Sequence, residues 1–173
     1  MIDYFFTNTG EIGPITQKFC VLDAQFNWHD PLSYLKVFTY TLGHVDRAHI
    51  MGNMSIFLLI APIMEEKYGS RAILVMMMVT AFITAVFQII LFNSNLLGAS
   101  GLVFMFIILV SFADVKKGTI PLTFILVAFF YIGTEIVHSL QANRVSEYAH
   151  IAGGLMGGLF GMLYGDKKIS PPA

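Results

Sequence analysis

Two side chains that can donate hydrogen bonds recur at helical spacing near residue 50, in the stretch that runs from His44 through His49 to Asn53. At about 100° per residue, His49 and Asn53 lie one turn apart on the same helix face. Two donors directed from one face into a cavity suit a developing oxyanion. They suit hydrogen bonding to a neighbouring helix equally well, so the pair alone leaves both roles open.

A serine flanked by small residues follows in the sequence Gly98-Ala-Ser100-Gly101. Small neighbours let a substrate approach, and a residue at a helix amino terminus has an N–H with no intrahelical acceptor. A nucleophile beside an oxyanion hole has these properties. Small-residue runs are also common packing motifs in membrane helices, so this motif alone predicts either role.

A histidine precedes a stripe of glycines near the carboxyl end, where Gly153 and Gly157 follow His150. Gly157 lies about 20° around a helix from His150, so the histidine and the glycines share one face. Glycines on such a face let another helix backbone approach closely. The stripe alone indicates packing. Together with a serine at the start of another helix, it indicates a base that can reach a nucleophile.

The three segments together resemble the signatures of the rhomboid intramembrane serine proteases, in order and in spacing. The matching residues are His44-x4-His49-x3-Asn53, Gly98-Ala-Ser100-Gly101 and Ala149-His150-x2-Gly153-x3-Gly157. Glu65-x3-Gly69-Ser70 also resembles the turn that follows the family's first motif. The resemblance covers residues 44–165 and implies a rhomboid-like helical bundle.

This resemblance implies a catalytic dyad, with Ser100 as the nucleophile and His150 as the general base. It implies an oxyanion hole formed by His49, Asn53 and the backbone N–H of Ser100. Phe104 resembles the aromatic residue that stacks on the base, although the family often carries tyrosine there and phenylalanine lacks the hydroxyl. Supporting small residues are Gly98, Gly101, Gly153 and Gly157. No metal or other cofactor is implied, and the implied substrates are single-span or other transmembrane proteins.

The composition independently predicts an integral membrane protein. Of the 173 residues, 12% are charged and 56% hydrophobic, whereas soluble proteins have about 25% charged residues. The mean hydropathy is +0.72. So little polar surface excludes a disordered chain, a nucleic-acid-binding tail and an ordinary soluble enzyme. Cys20 is the only cysteine, which excludes an intrachain disulfide and a cysteine-based zinc cluster.

Stretches without Asp, Glu, Lys or Arg predict an all-α membrane protein with five visible spans. The predicted helices, two of which extend past these stretches to include Arg71 or Glu135, cover residues 48–64, 71–92, 98–113, 119–138 and 148–165. The family usually has six spans. Either the first lies upstream of this sequence, which we expect, or the protein uses five. Near the end of the fourth predicted helix, Glu135 and His138 lie one turn apart. They fit either a wet cavity at a gate or the membrane interface.

The first 47 residues contain no run long enough to cross a bilayer and are rich in aromatic residues, among which Trp and Tyr favour the membrane interface. Apolar residues at helical spacing predict a helix that lies on the membrane surface; they are Leu32, Leu35, Phe38 and Leu42. The predicted organisation is an interfacial segment (1–47), a catalytic membrane domain (48–165) and a short cytoplasmic tail (166–173).

Basic residues near the span ends predict the orientation. Three compact pairs fall on one side of the predicted bundle: Lys67 and Arg71, Lys116 and Lys117, Lys167 and Lys168. We expect this side to face the cytoplasm, together with the carboxyl terminus. The protein is then a multi-pass protein of the bacterial inner membrane whose amino-terminal segment lies outside.

Two other classes are compatible with parts of the pattern. A non-catalytic rhomboid-like protein would bind membrane clients without cutting them, but it would be expected to lack Ser100 or His150. A metal transporter could use His44, His49 and His150, but no carboxylate is evidently placed within the spans to complete its site.

Overall fold

A computed structural model describes residues 12–113, 129, 133 and 145–164. Throughout these residues the regular secondary structure is helical, apart from one isolated antiparallel bridge between Leu22 and Leu96. The elements in chain order are α1 (Pro14–Cys20), α2 (Pro31–Thr39), a 3₁₀ helix (Tyr40–Leu42), α3 (Arg47–Tyr68), α4 (Ser70–Leu91), α5 (Ser100–Ala113) and α6 (Val145–Tyr164). The prediction of an all-α fold is confirmed for this part of the chain.

Helices α3 and α4 are long and apolar enough to cross a membrane. Each contains 22 residues, which at about 1.5 Å per residue exceeds a hydrocarbon core of about 30 Å. Gly69 joins them with a φ of 81°, a left-handed conformation that glycine adopts without strain. Its N–H donates to the Glu65 carbonyl oxygen at 2.7 Å, and the Ser70 hydroxyl donates to the Glu65 carboxylate. The predicted turn is therefore present.

Helices occupy four of the five predicted span positions, as α3 to α6. The remaining prediction, 119–138, falls almost wholly outside the described residues. Helix α3 continues to Tyr68 rather than ending at residue 64. Helix α5 begins at Ser100 rather than residue 98, because Gly98 has a φ of 124° that no α-helix accommodates. The number of membrane spans stays a prediction.

Helix α5 lies at the centre of the described bundle and packs most extensively against α6. Glycine makes this packing possible. A Cβ atom on Gly153 would overlap the Gly101 carbonyl oxygen, and one on Gly157 would overlap the Met105 carbonyl oxygen. Among the described residues, a Cβ atom on Gly158 would meet only a side-chain carbon of Ile108, at an ordinary 3.9 Å. One face of the α6 glycine stripe therefore touches the α5 backbone directly.

The amino-terminal segment folds back onto the loop between α4 and α5. Leu22 and Leu96 exchange two backbone hydrogen bonds of 2.9 Å each. Beside this bridge, the Ala24 N–H donates to the Asn95 side-chain oxygen at 2.9 Å. The segment therefore packs as an integral part of the bundle and fixes the loop that leads into α5.

Helix α2 buries polar as well as apolar side chains. Its inward face carries Ser33 and Lys36, which are buried, and the Lys36 ammonium pairs with Asp23 at 2.6 Å. Leu35 and Leu42, from the predicted apolar stripe, are 50% and 70% exposed. Leu35 and Leu42 thus face away from the protein, whereas Phe38 of the same stripe packs against the core and its ring stacks on that of Phe82 in α4. The buried Val37 and the polar side chains together hold α2 in place.

Candidate active site

The first two turns of α3 carry the two predicted donors, His49 and Asn53. Asp46 caps the helix, and its carboxylate accepts a hydrogen bond of 2.7 Å from the His49 N–H. Asn53 follows one turn later and is 1% exposed. The sequence argument missed Asp46, although an aspartate just before an apolar helical run is a recognised cap signal. The cap fixes where His49 enters the helix.

Gly98 brings His49 and Ser100 together. A Cβ atom on Gly98 would lie 3.1 Å from His49 Cε1 and 4.0 Å from Ser100 Oγ. The His49 imidazole and the Ser100 hydroxyl therefore flank the same point, on two different helices. The position demands glycine both for this close approach and for its φ of 124°.

His150 lies beside the first turn of α5. Its ring is stacked on that of Phe104, with centroids 4.3 Å apart and an interplanar angle of 12°. Phe104 lies one turn after Ser100. A Cβ atom on Gly101 would be 2.9 Å from the carbonyl oxygen of Ala149, the residue that precedes His150. The backbones of α5 and α6 therefore touch at the residues next to Ser100 and His150.

Tyr40 contacts the loop that joins α4 to α5 (92–99, the glycine loop) and was not identified from the sequence. Its carbonyl oxygen accepts a hydrogen bond of 2.9 Å from the Gly98 N–H. Its hydroxyl donates to the Ala81 carbonyl oxygen in α4 at 3.2 Å. Burial raises the pKa of Tyr40 above its ordinary value. No local sequence signal marks this residue, because both contacts are with residues far along the chain.

His44 is the third histidine near the glycine loop. It lies before α3, is 2% exposed, and its ring centroid is 5.0 Å from that of His49 in an edge-to-face arrangement. Its Nδ1 lies 3.3 Å from the Leu42 carbonyl oxygen. Burial, reinforced by His49, lowers the pKa of His44 to about 4, against a weaker opposing effect of Asp46. The imidazole is therefore neutral at physiological pH.

This burial predicts a loss of stability in acid. The unfolded chain takes up the proton near pH 6.5 and the folded chain only near pH 4, so stability is lost as the pH falls between these values. Between pH 7 and pH 5, we expect the free energy of unfolding to fall by about 2 kcal/mol more in the wild type than in His44→Phe. Unfolding in detergent at both pH values measures this. His29→Phe, at an exposed histidine, should follow the wild type. Equal losses in wild type and His44→Phe would contradict the prediction.

Other residues that the sequence singled out are not assembled here. Glu135 and His138 lie outside the described residues. Within the described part of the chain, no group of three His, Cys, Asp or Glu side chains could hold a metal ion. Of the predicted site residues, the structure brings the Ser100 hydroxyl and the His49 imidazole together beside Gly98, and it stacks the His150 ring on Phe104.

Comparison with known proteins places the chain in a family. Residues 31–167 match the sequence profile of the rhomboid domain, and the chain belongs to the rhomboid family. It is similar to the rhomboid protease GlpG of Haemophilus influenzae, with 24% identity over 185 aligned positions that cover 95% of each chain. No solved structure matches the chain. Rhomboid proteins are membrane proteins, in agreement with the apolar helices α3 and α4.

Proposed function

We propose that this protein is an intramembrane serine endopeptidase in which Ser100 is the nucleophile and His150 the general base. One observation carries the proposal. Ser100 and His49 flank Gly98, while His150 is stacked on Phe104, one turn from Ser100. The similarity to a relative named as a rhomboid protease supports the same reaction.

In this mechanism the Ser100 hydroxyl attacks the carbonyl carbon of the scissile peptide bond. His150 takes the hydroxyl proton as the bond between Oγ and carbon forms, and then gives it to the departing amine. Water then attacks the acyl-enzyme. His150 takes a proton from the water and gives it to the Ser100 oxygen as the ester bond breaks. Stacking on Phe104 holds the imidazole plane, which is the orienting task that a carboxylate performs in a triad.

The tetrahedral intermediate carries a negative charge that needs donors. His49 and Asn53 project from successive turns of α3, and the Ser100 N–H is the first of α5, without an intrahelical acceptor. We assign these three groups to the oxyanion hole. Donors prearranged at a site of low water content stabilise the transition state more strongly than donors in water.

The substrates in this proposal are transmembrane proteins, cut near the outer membrane face. The exposed Leu35 and Leu42 and the exposed Trp28 (65% exposed) suit an amino-terminal segment lying at that interface. The site at the start of α3, α5 and α6 then lies at the outer end of the bundle. The carboxyl terminus is cytoplasmic in this proposal.

The experiment that tests the proposal uses the purified protein in detergent or in liposomes. It is incubated with a single-span model substrate and, separately, with a fluorophosphonate probe that reacts with activated serines. We expect cleavage that EDTA leaves unchanged, and a label that maps to Ser100 by mass spectrometry. A folded protein that neither cleaves nor labels would favour the client-binding alternative. Cleavage abolished by EDTA would contradict a metal-free mechanism.

His49→Ala and Asn53→Ala are each expected to slow cleavage by about 10²-fold, the lower range for loss of one oxyanion donor. The loss should appear in kcat rather than KM, because these donors act on the transition state. Cleavage of one substrate over a concentration series measures both constants. His29→Ala, in an exposed loop, is the control. Unchanged kcat in both variants would return His49 and Asn53 to a packing role.

A further inference from the structure

The His49 imidazole is confined on two sides. Asp46 fixes the backbone of His49 through the cap hydrogen bond of 2.7 Å, but this contact does not orient the ring. On one side the ring lies against Gly98, where even a Cβ atom would come within 3.1 Å. On another side lies His44, with ring centroids 5.0 Å apart at 74°. Edge-to-face contact at this distance is the preferred arrangement of aromatic pairs.

His44 is itself firmly held, which a positioning group requires. It is 2% exposed. The turn before it packs against the end of α1, because a Cβ atom on Gly43 would lie 2.7 Å from the Cys20 carbonyl oxygen. Rotation of the ring is opposed by the hydrogen bond between Nδ1 and the Leu42 carbonyl oxygen. A side chain fixed at its backbone and its ring presents one surface to His49.

The hydrogen bond also determines which ring nitrogen of His44 carries the proton. A carbonyl oxygen only accepts, so Nδ1 is the donor and Nε2 of the neutral ring keeps a lone pair. Nε2 is buried and has no hydrogen-bond partner within the described residues. His44 therefore carries no charge, and it has no Nε2–H that could compete with His49 for donation to the oxyanion. The lowered pKa described above agrees with this state.

We propose that His44 is a positioning residue that holds the His49 imidazole against the Gly98 loop in the orientation needed to donate to the oxyanion. The proposal rests on the proposed function, because it assigns His44 a task within the same oxyanion hole. His44 touches no reacting atom. Its effect on the rate passes entirely through His49.

A double-mutant cycle tests this dependence. His44→Ala should lower kcat about tenfold with KM unchanged. A displacement of about 1 Å can cost on the order of 10²-fold, and we expect the lost ring contact to displace His49 by less. In a His49→Ala background the same substitution should change kcat by less than about twofold, because nothing remains to be positioned. His44→Phe keeps the ring contact and should recover most of the rate. Equal losses in both backgrounds would overturn the proposal.

A second measurement is independent of activity. The chain has five histidines, so ¹⁵N-labelled imidazoles can be resolved and assigned by substitution. We expect the His49 ring signals to shift or broaden in His44→Ala, to stay near wild type in His44→Phe, and to be unchanged in the control His29→Ala. His49 signals that are identical in wild type and His44→Ala would overturn the proposal even if the protein cleaves. A wild type that does not cleave, but shows these shifts, would contradict the proposed function alone.

Discussion

Ser100→Ala and His150→Phe should each abolish cleavage, with kcat at least about 10³-fold lower than wild type. Alanine at 100 removes only the attacking oxygen, from a side chain that is buried. Phenylalanine at 150 can keep the stack on Phe104 but cannot accept a proton. The measurement is a single-turnover cleavage time course of a single-span substrate, with thermal unfolding of each variant to confirm an intact fold.

The double variant extends the test of the dyad. Because the two groups act as one unit, removing both should cost about as much as removing one. The control is His29→Phe, which makes the same substitution as His150→Phe but in an exposed loop. It should cleave like wild type. Substantial turnover by a well-folded Ser100→Ala protein would refute the serine protease assignment.

Gly157→Ala is expected to destabilise the protein by about 1–3 kcal/mol, the usual cost of overpacking, and to lower kcat strongly. The new methyl group would overlap the Met105 carbonyl oxygen and come within 3.0 Å of the Ile108 side chain. Helix α6 must then move away from α5. A shift of even about 1 Å between the helices that carry Ser100 and His150 can cost on the order of 10²-fold in rate.

Gly158→Ala is the matched control for this prediction. It adds the same methyl group one residue along the same helix, where the nearest atom of the described neighbouring residues is 3.9 Å away. Both variants also carry the same gain in helix propensity. Paired melting curves and cleavage rates in one detergent therefore isolate the helix contact. If Gly158→Ala fails while Gly157→Ala matches the wild type, the helix face assigned to the contact is wrong.

The membrane helices and the chemical motifs were predictable because both are local properties of the chain. Hydropathy indicated α3 and α4, and the spacing of His49 and Asn53 on a 3.6-residue period put them on one face. Periodicity likewise put Gly157 on the face of His150. It could not identify the partner, because nothing local indicates that Met105 lies opposite.

The contacts that assemble the site were not predictable from one sequence. Tyr40 binds Gly98 through backbone atoms, and any residue except proline at position 98 could donate that bond. The edge-to-face pair of His44 and His49 depends on how the turn before α3 folds, which spacing alone does not determine. The exact start of α5 was missed because Gly98 reads as helical by hydropathy and is left-handed in the structure.

The bridge between Leu22 and Leu96 has a consequence for the order of folding. Its neighbouring contact joins Ala24 to Asn95, residues 71 apart in sequence. Such long-range contacts carry a closure entropy that local helix formation does not. The bridge can close only after α3 and α4, which separate its two residues in the sequence, have folded back on each other. We therefore expect the loop that leads into α5 to take its final shape late in folding, so that a partly folded chain carries Ser100 without the contacts that surround it.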